Sequence, residues 1–241
     1  MDERRALRLG LLIAAAYMAA RFLVYRAMPV LDGAGQGVDW SLWFRRDALM
    51  SLPRLAGLAA CLAVMAKAGP WESWGWHGRA PARPLALAAS VVLVYALFFL
   101  PERAAIYTPA QKALGWATTL PVALFEEACF RGLLYVSLSR LWSPRPAALL
   151  SALLFAAYHW QAQPVQDWPS IFCIGVVWAA ALESGLGLPW LVLAHELADA
   201  LFFHIGEAAD VEGWAAIKAL QLLLFALLAA VALRRMPARR A

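Results

Sequence analysis

Three short stretches of this chain place ionisable side chains among apolar neighbours. FEEACFRG carries Glu126, Glu127 and Arg131; FAAYHW carries Phe155 and His159; AHELADALFFH carries His195, Glu196, Asp199 and His204. An ionisable group at the centre of a membrane-spanning helix costs about 2.5–3.5 kcal/mol on an insertion scale, and such groups mark function by default. Carboxylates, imidazoles and a guanidinium together are the material of acid–base hydrolysis. That chemistry needs a base to take a proton from water, donors for the developing oxyanion, and an acid for the leaving amine.

Spacing assigns first roles. Glu127 and Arg131 are i,i+4 partners in the favourable order for an ion pair. At about 100° per residue, Arg131 lies roughly 140° around the axis from Glu126. The arginine can therefore neutralise Glu127 and leave Glu126 free for a different partner. His195 and Asp199 are also i,i+4 and share a face, so Asp199 could accept a hydrogen bond from the imidazole or help hold a water. Phe155 sits one turn before His159 and could wall its ring. Glu196, about 100° from His195, is a secondary candidate, and His204 is given no role. Cys129 lies about 60° from Glu126 with no base identified beside it, and is read as packing. Each element has a plainer reading: a structural ion pair, an interfacial histidine, an interhelical polar clamp. Their conjunction on three separate spans favours one shared wet cavity.

The elements that must position these residues follow from composition. Of 241 residues, 63% are apolar and 15% charged, against about 45–50% and 25% in ordinary soluble domains. Mean hydropathy is +0.63. A soluble domain of this size leaves roughly a quarter or more of its unfolded surface in water, which excludes a cytosolic globule, a disordered chain and a disulfide-stapled module. The three cysteines, Cys61, Cys129 and Cys173, fall in apolar runs without CxxC spacing, so neither a disulfide framework nor a cysteine zinc site is expected. The net charge of +5 is read as cytoplasmic flanks of a membrane protein and not as nucleic-acid binding.

Apolar runs at 7–29, 48–67, 84–100, 113–139, 145–162, 169–186, 188–206 and 214–233 are each close to the ~20 residues that cross a bilayer. The expected fold is an all-α polytopic membrane helix bundle of about eight transmembrane helices. It is read as a single integral membrane domain over 1–241, with a catalytic core at 113–206. The first run, after Arg4, Arg5 and Arg8, lacks an A-x-A cleavage pattern and is read as a retained span. The polar, Gly-rich stretch Leu31 to Arg46 is expected as a loop. The tryptophans of WESWGWHGRAPARP suit an interface, and the short ESGLG linker suggests a tight antiparallel hairpin of spans six and seven. Arg21, Arg26 and Arg54 are expected to snorkel from span ends, although Arg21 is unusually deep. Lys and Arg concentrate on the segments that share a side with both termini, so both ends are expected in the cytoplasm of a bacterial inner membrane. Arg45 and Arg46, in the first outside loop, dissent. The loop between spans seven and eight carries Glu207, Asp210 and Glu212 instead.

EEACFR fits E-E-x-x-x-R, FAAYH fits F-x-x-x-H, and HELAD fits H-x-x-x-[N/D]. In this order, inside apolar spans, the trio resembles the CPBP family of intramembrane proteases, which includes type II CAAX prenyl endopeptidases and bacteriocin-processing proteins. The resemblance covers about 113–206. It implies a glutamate-dependent endopeptidase in which Glu126 activates water, His159 and His195 bind that water or stabilise the oxyanion, and Glu127, Arg131 and Phe155 give support. Asp199 takes a position where the prenyl-endopeptidase branch usually has Asn. That departure leaves two roles open: orienting His195, or carrying a charge the Asn form lacks.

Two other readings stay open. A zinc-dependent intramembrane metalloprotease could use two histidines and carboxylates, but HELAD has Asp199 where H-E-x-x-H needs its second histidine. No cofactor is therefore expected, with zinc the less favoured alternative. A non-catalytic membrane regulator or immunity protein of the same fold is the other, with a proton-path transporter a weaker third option. The expected partners are the lipid bilayer and a peptide or protein substrate at the membrane. The depth of the three motifs places the site in the middle-to-outer half. That suits exported or membrane-anchored substrates and gives no reason to carry over prenyl specificity.

Overall fold

A computed structural model describes residues 1–28, 40–98, 108–161, 163–204 and 214–237. The loop with Glu207, Asp210 and Glu212, the loop carrying Arg103, and positions 31–39 of the Gly-rich stretch lie outside the described residues.

Among the described residues every regular element is helical. The helices are α1 (Glu3–Ala27), α2 (Trp40–Ala68), α3 (Ala82–Phe98), α4 (Pro109–Glu126), α5 (Val136–Leu141), α6 (Pro144–Tyr158), α7 (Trp168–Glu183), α8 (Leu188–His204) and α9 (Trp214–Arg235). A π-helical stretch, Glu127–Tyr135, joins α4 to α5 without a break. That continuous rod occupies the fourth predicted span, so the rods coincide with the eight apolar runs. Local sequence sets the starts. Thr108 and Gln111 form a reciprocal capping box before Pro109 at the first turn of α4. Asp2 accepts the Arg5 N–H at the start of α1.

The outside of the bundle is oily, and its largely apolar core holds charged side chains. Leu12, Leu23, Leu52, Leu97, Leu153 and Leu227 are exposed, while Glu126, Glu127, Arg131, His195 and Glu196 are buried. Water would favour the reverse arrangement. The helices Glu3–Ala27, Arg45–Ala68, Val165–Glu183 and Ala215–Arg235 are long and apolar enough to cross a membrane. The chain is an integral membrane protein.

The α4–π–α5 rod is central and touches α1, α2, α6 and α8. The structure departs from the expected packing at spans six and seven. α7 packs on α6, α9 and α3, whereas α8 packs on α4 and α3, and α7 and α8 barely meet. Their turn is tight, with Gly185 at φ +96, but it is tied elsewhere. Gly187 N–H donates to the Arg79 carbonyl and Leu188 N–H to the Gly75 carbonyl. This anchors the turn to the loop before α3, which then inserts between the two helices.

Three further expectations shift. α2 begins at Trp40, so Arg45 and Arg46 lie on a helix and not in a loop; WSLWFRRDALM contains no breaker to stop it. Arg21 and Arg54 do not snorkel but are buried: Arg21 lies over the Tyr25 and Tyr158 rings, and Arg54 pairs with Asp47 and donates to the Tyr17 hydroxyl. Trp74 is fully buried in the core, under the Arg140 guanidinium, and not on the outer surface of the bundle.

Candidate active site

Three elements converge on one point. α4 ends on Glu126 and the π stretch begins on Glu127. α6 ends at Tyr158, so His159 opens a short 3₁₀ turn just past the helix. His195 and Asp199 lie on α8. The Nε2 atoms of both imidazoles face the same oxygen, Glu126 Oε2, at 3.7 Å for His195 and 3.9 Å for His159. That oxygen is buried and makes no hydrogen bond to protein. These separations are too long for a direct hydrogen bond and suit two bonds through one water.

The outer nitrogen of each ring is fixed. His159 Nδ1 lies 2.7 Å from the Phe155 carbonyl. A carbonyl only accepts, so Nδ1 carries the proton and donates. The helix end supplies that carbonyl, because residue 159 no longer continues α6. His195 Nδ1 lies 2.8 Å from Glu127 Oε1 and donates to it. In both rings Nε2 is therefore the nitrogen turned to Glu126. Asp199 Oδ2 is 3.5 Å from His195 Nε2, so Asp199 stands on the inner side of that ring and Glu127 does the orienting.

Arg131 pairs with Glu127 at 3.4 Å, as the i,i+4 spacing implies. Its guanidinium also lies 3.9 Å over the Phe155 ring and 5.2 Å from the Trp178 ring. A desolvated cation–π contact adds about 2 kcal/mol. Phe155 then meets the His159 ring edge-on at 4.7 Å, the wall expected from sequence. Glu196 is turned away: its Oε1 accepts from the Thr119 hydroxyl at 2.9 Å. Cys129 is buried, with its thiol 4.0 Å from the Gly10 carbonyl, in keeping with packing. The side chain of His204 lies outside the described residues.

Two features escaped the sequence reading. The π stretch replaces i→i+4 bonding with i→i+5, so successive residues turn through a smaller angle. Glu126 and Glu127 themselves keep ordinary α-helical dihedrals at the junction, and both carboxylates reach His195 on α8. Trp178 on α7 packs its ring 4.8 Å from His195; nothing in the sequence of α7, which also carries Trp168 and Phe172, singles it out. Among the described residues no group of three or more His, Cys, Asp or Glu is arranged as a metal-ligand cluster.

Residues 108–201 match the family model described as type II CAAX prenyl endopeptidase Rce1-like. The motif-bearing region is Rce1-like. It spans α4, the π stretch, α5, α6, α7 and most of α8, and so contains every residue around Glu126 described above. Comparison with curated proteins and with solved structures returned no match. The match covers 94 of the 241 residues, less than half of the chain.

Proposed function

We propose that the chain is a glutamate-dependent intramembrane endopeptidase, with Glu126 as the base that activates water. The observation that carries this is the aim of two imidazole Nε2 atoms at one unpartnered carboxylate oxygen, Glu126 Oε2. A water between them gives its proton to Glu126 as it attacks the carbonyl carbon, and Glu126 returns that proton to the leaving amine. His195 has an acceptor at each nitrogen, Glu127 at Nδ1 and Asp199 at Nε2. A ring protonated at both nitrogens can thus be held there and present Nε2–H to the oxyanion. His159, fixed through Nδ1, positions the water. Glu127, Arg131 and Phe155 are positioning residues. Asp199 shares the inner face of His195.

The whole chain, 1–241, is proposed to act as one integral membrane domain with its catalytic core at 113–206. Both termini are proposed to lie in the cytoplasm of a bacterial inner membrane. The substrate is proposed to be an exported or membrane-anchored protein, cut in the middle-to-outer half of the bilayer, with no prenyl group required.

The test is cleavage of a quenched-peptide library by the full-length protein in nanodiscs, with Glu126→Ala, His159→Ala and His195→Ala as separate variants and insertion checked for each. Cleavage is expected in the parent, lost in all three variants and retained after strong chelation. Correctly inserted variants that still cleave would overturn the assignment. Stoichiometric zinc whose removal abolishes cleavage would replace the glutamate mechanism with a metal one.

A further inference from the structure

A cavity of about 790 Å³ lies where the first turn of α3, the end of α7 and the last turn of α9 meet. That volume falls within the roughly 300–1,000 Å³ of small-molecule sites. None of its lining residues belongs to the group around Glu126. It sits at the end of the bundle that holds both described chain ends: the Met1 amino group donates to the Lys67 carbonyl, Arg140 pairs with Glu3, and Arg145 donates to the Met236 carbonyl. Arg83 and Arg235 line the cavity, and so do Leu87 and Val231, each one turn along the same helix. α3 starts at Ala82 and α9 ends at Arg235, so each helix sets its arginine at the end of the bundle and its aliphatic side chain about 6 Å deeper. Arg83, Ser184, Val231 and Arg235 are exposed, so the cavity opens to the surroundings of the bundle, while Ala180 and Ala232 close its back.

Charge decides what fits there. Helix C-termini present carbonyls that repel an anion, and α7 and α9 both end at the cavity. Their carbonyls are already taken. On α7 the Ala180 carbonyl accepts from the Ser184 N–H and hydroxyl, Ala181 from the Leu186 N–H and Leu182 from the Gly185 N–H. On α9 the Ala232 and Leu233 carbonyls accept from the Met236 N–H, and the Arg234 carbonyl accepts from Arg145. Glu183, beside Ser184, takes the Tyr135 hydroxyl at 2.6 Å. The guanidiniums of Arg83 and Arg235, by contrast, have no ion pair or hydrogen bond among the described residues. Two free guanidiniums above apolar walls are complementary to a phosphate ester that carries hydrocarbon.

We infer that this cavity is a binding site for an anionic phospholipid, with the phosphate between Arg83 and Arg235 and one acyl chain along Leu87 and Val231. Each guanidinium gives charge-assisted bonds to the phosphate oxygens. The track for the chain continues beyond the cavity: Leu227 and Leu223, exposed one and two turns from Val231, extend the same face of α9 toward the middle of the bundle. A zwitterionic headgroup brings an ammonium to the same two positive charges and is held less tightly. The site is independent of the chemistry at Glu126.

The test uses the full-length protein, freed of lipid in detergent and given phosphatidylglycerol or phosphatidylcholine with identical acyl chains. Bound lipid is read by native mass spectrometry, with thermal unfolding in parallel. One phosphatidylglycerol is expected to bind about tenfold or more tighter than phosphatidylcholine and to raise the melting temperature further. Arg83→Gln combined with Arg235→Gln is expected to erase that preference. Arg4→Gln combined with Arg5→Gln removes the same charge from exposed positions of α1 at the same end of the bundle, and is expected to keep it. Equal affinity for the two lipids in the parent overturns the inference, as does a preference that survives loss of Arg83 and Arg235. An equal loss in the α1 variant overturns it in favour of diffuse attraction to surface charge. Glycerophosphoglycerol, the same headgroup without acyl chains, binding as tightly as the lipid overturns it in favour of a soluble phosphate ester.

Discussion

Glu127 Oε1 accepts the His195 Nδ1–H at 2.8 Å while facing Arg131 at 3.4 Å. One buried carboxylate thus orients the imidazole of α8 and neutralises the arginine of its own rod. Removing one partner of such a buried pair leaves the other charge uncompensated and costs about 3–5 kcal/mol, whereas replacing both with neutral groups is often close to neutral. Glu127→Gln and Arg131→Met are each expected to lower stability by that amount. The double variant is expected to recover much of it, read as a coupling energy from unfolding in detergent.

Glu126 stands in the opposite position. Its Oε2 has no protein hydrogen bond, so the fold gains little from its charge. Glu126→Gln keeps size and shape and removes the base. Cleavage is expected to fall by about 10²–10⁴-fold or more, with a melting temperature equal to or above that of the parent. Parallel activity and thermal-unfolding measurements on one preparation check this.

Asp199 is held less tightly, since its carboxylate is 36% exposed and 3.5 Å from His195 Nε2. An amide oxygen at the same place still accepts a hydrogen bond from that ring. Asp199→Asn is therefore expected to stay within about tenfold of the parent in kcat/KM, a change of roughly 1.4 kcal/mol in the barrier. Asp199→Ala, which removes the acceptor, is expected to lose more, mostly in kcat. Steady-state kinetics on a cleaved peptide separates the two.

The turn between α7 and α8 gives a structural prediction away from the chemistry. A Cβ on Gly187 would collide with the His77 backbone carbonyl, and neither backbone can yield without breaking the Gly187 N–H bond to Arg79. Gly187→Ala is expected to destabilise the protein by about 1–3 kcal/mol, as overpacking commonly does. Gly78→Ala, where an added methyl meets nothing within 4 Å, is the control, expected to be near neutral. Unfolding in detergent compares them.

Much of this was legible in the residues. Helices and their order followed from apolar runs of bilayer length, and the residues around Glu126 stood out because ionisable groups in such runs are costly. The Glu127–Arg131 pair and the Phe155 wall followed from helical spacing alone. What the sequence hid depends on contacts between helices. Nothing in EACFRGLLY announces a π register, and nothing in HELAD shows that Glu127, not Asp199, takes the His195 Nδ1–H. The expected hairpin failed because short linkers report proximity of helix ends, not of helix sides; Gly187 and Leu188 bond to the loop before α3, and α3 fills the gap. Hydropathy predicts snorkelling for Arg21 and Arg54 because it cannot see the tyrosines packed against them.

The central claim, hydrolysis by a Glu126-activated water, is tested most directly by mass spectrometry of membrane-protein termini. Cells carrying the parent protein are compared with cells carrying Glu126→Gln at equal abundance. New termini beside or within membrane segments are expected in the parent and absent from the variant. An identical set of termini in both would contradict the account.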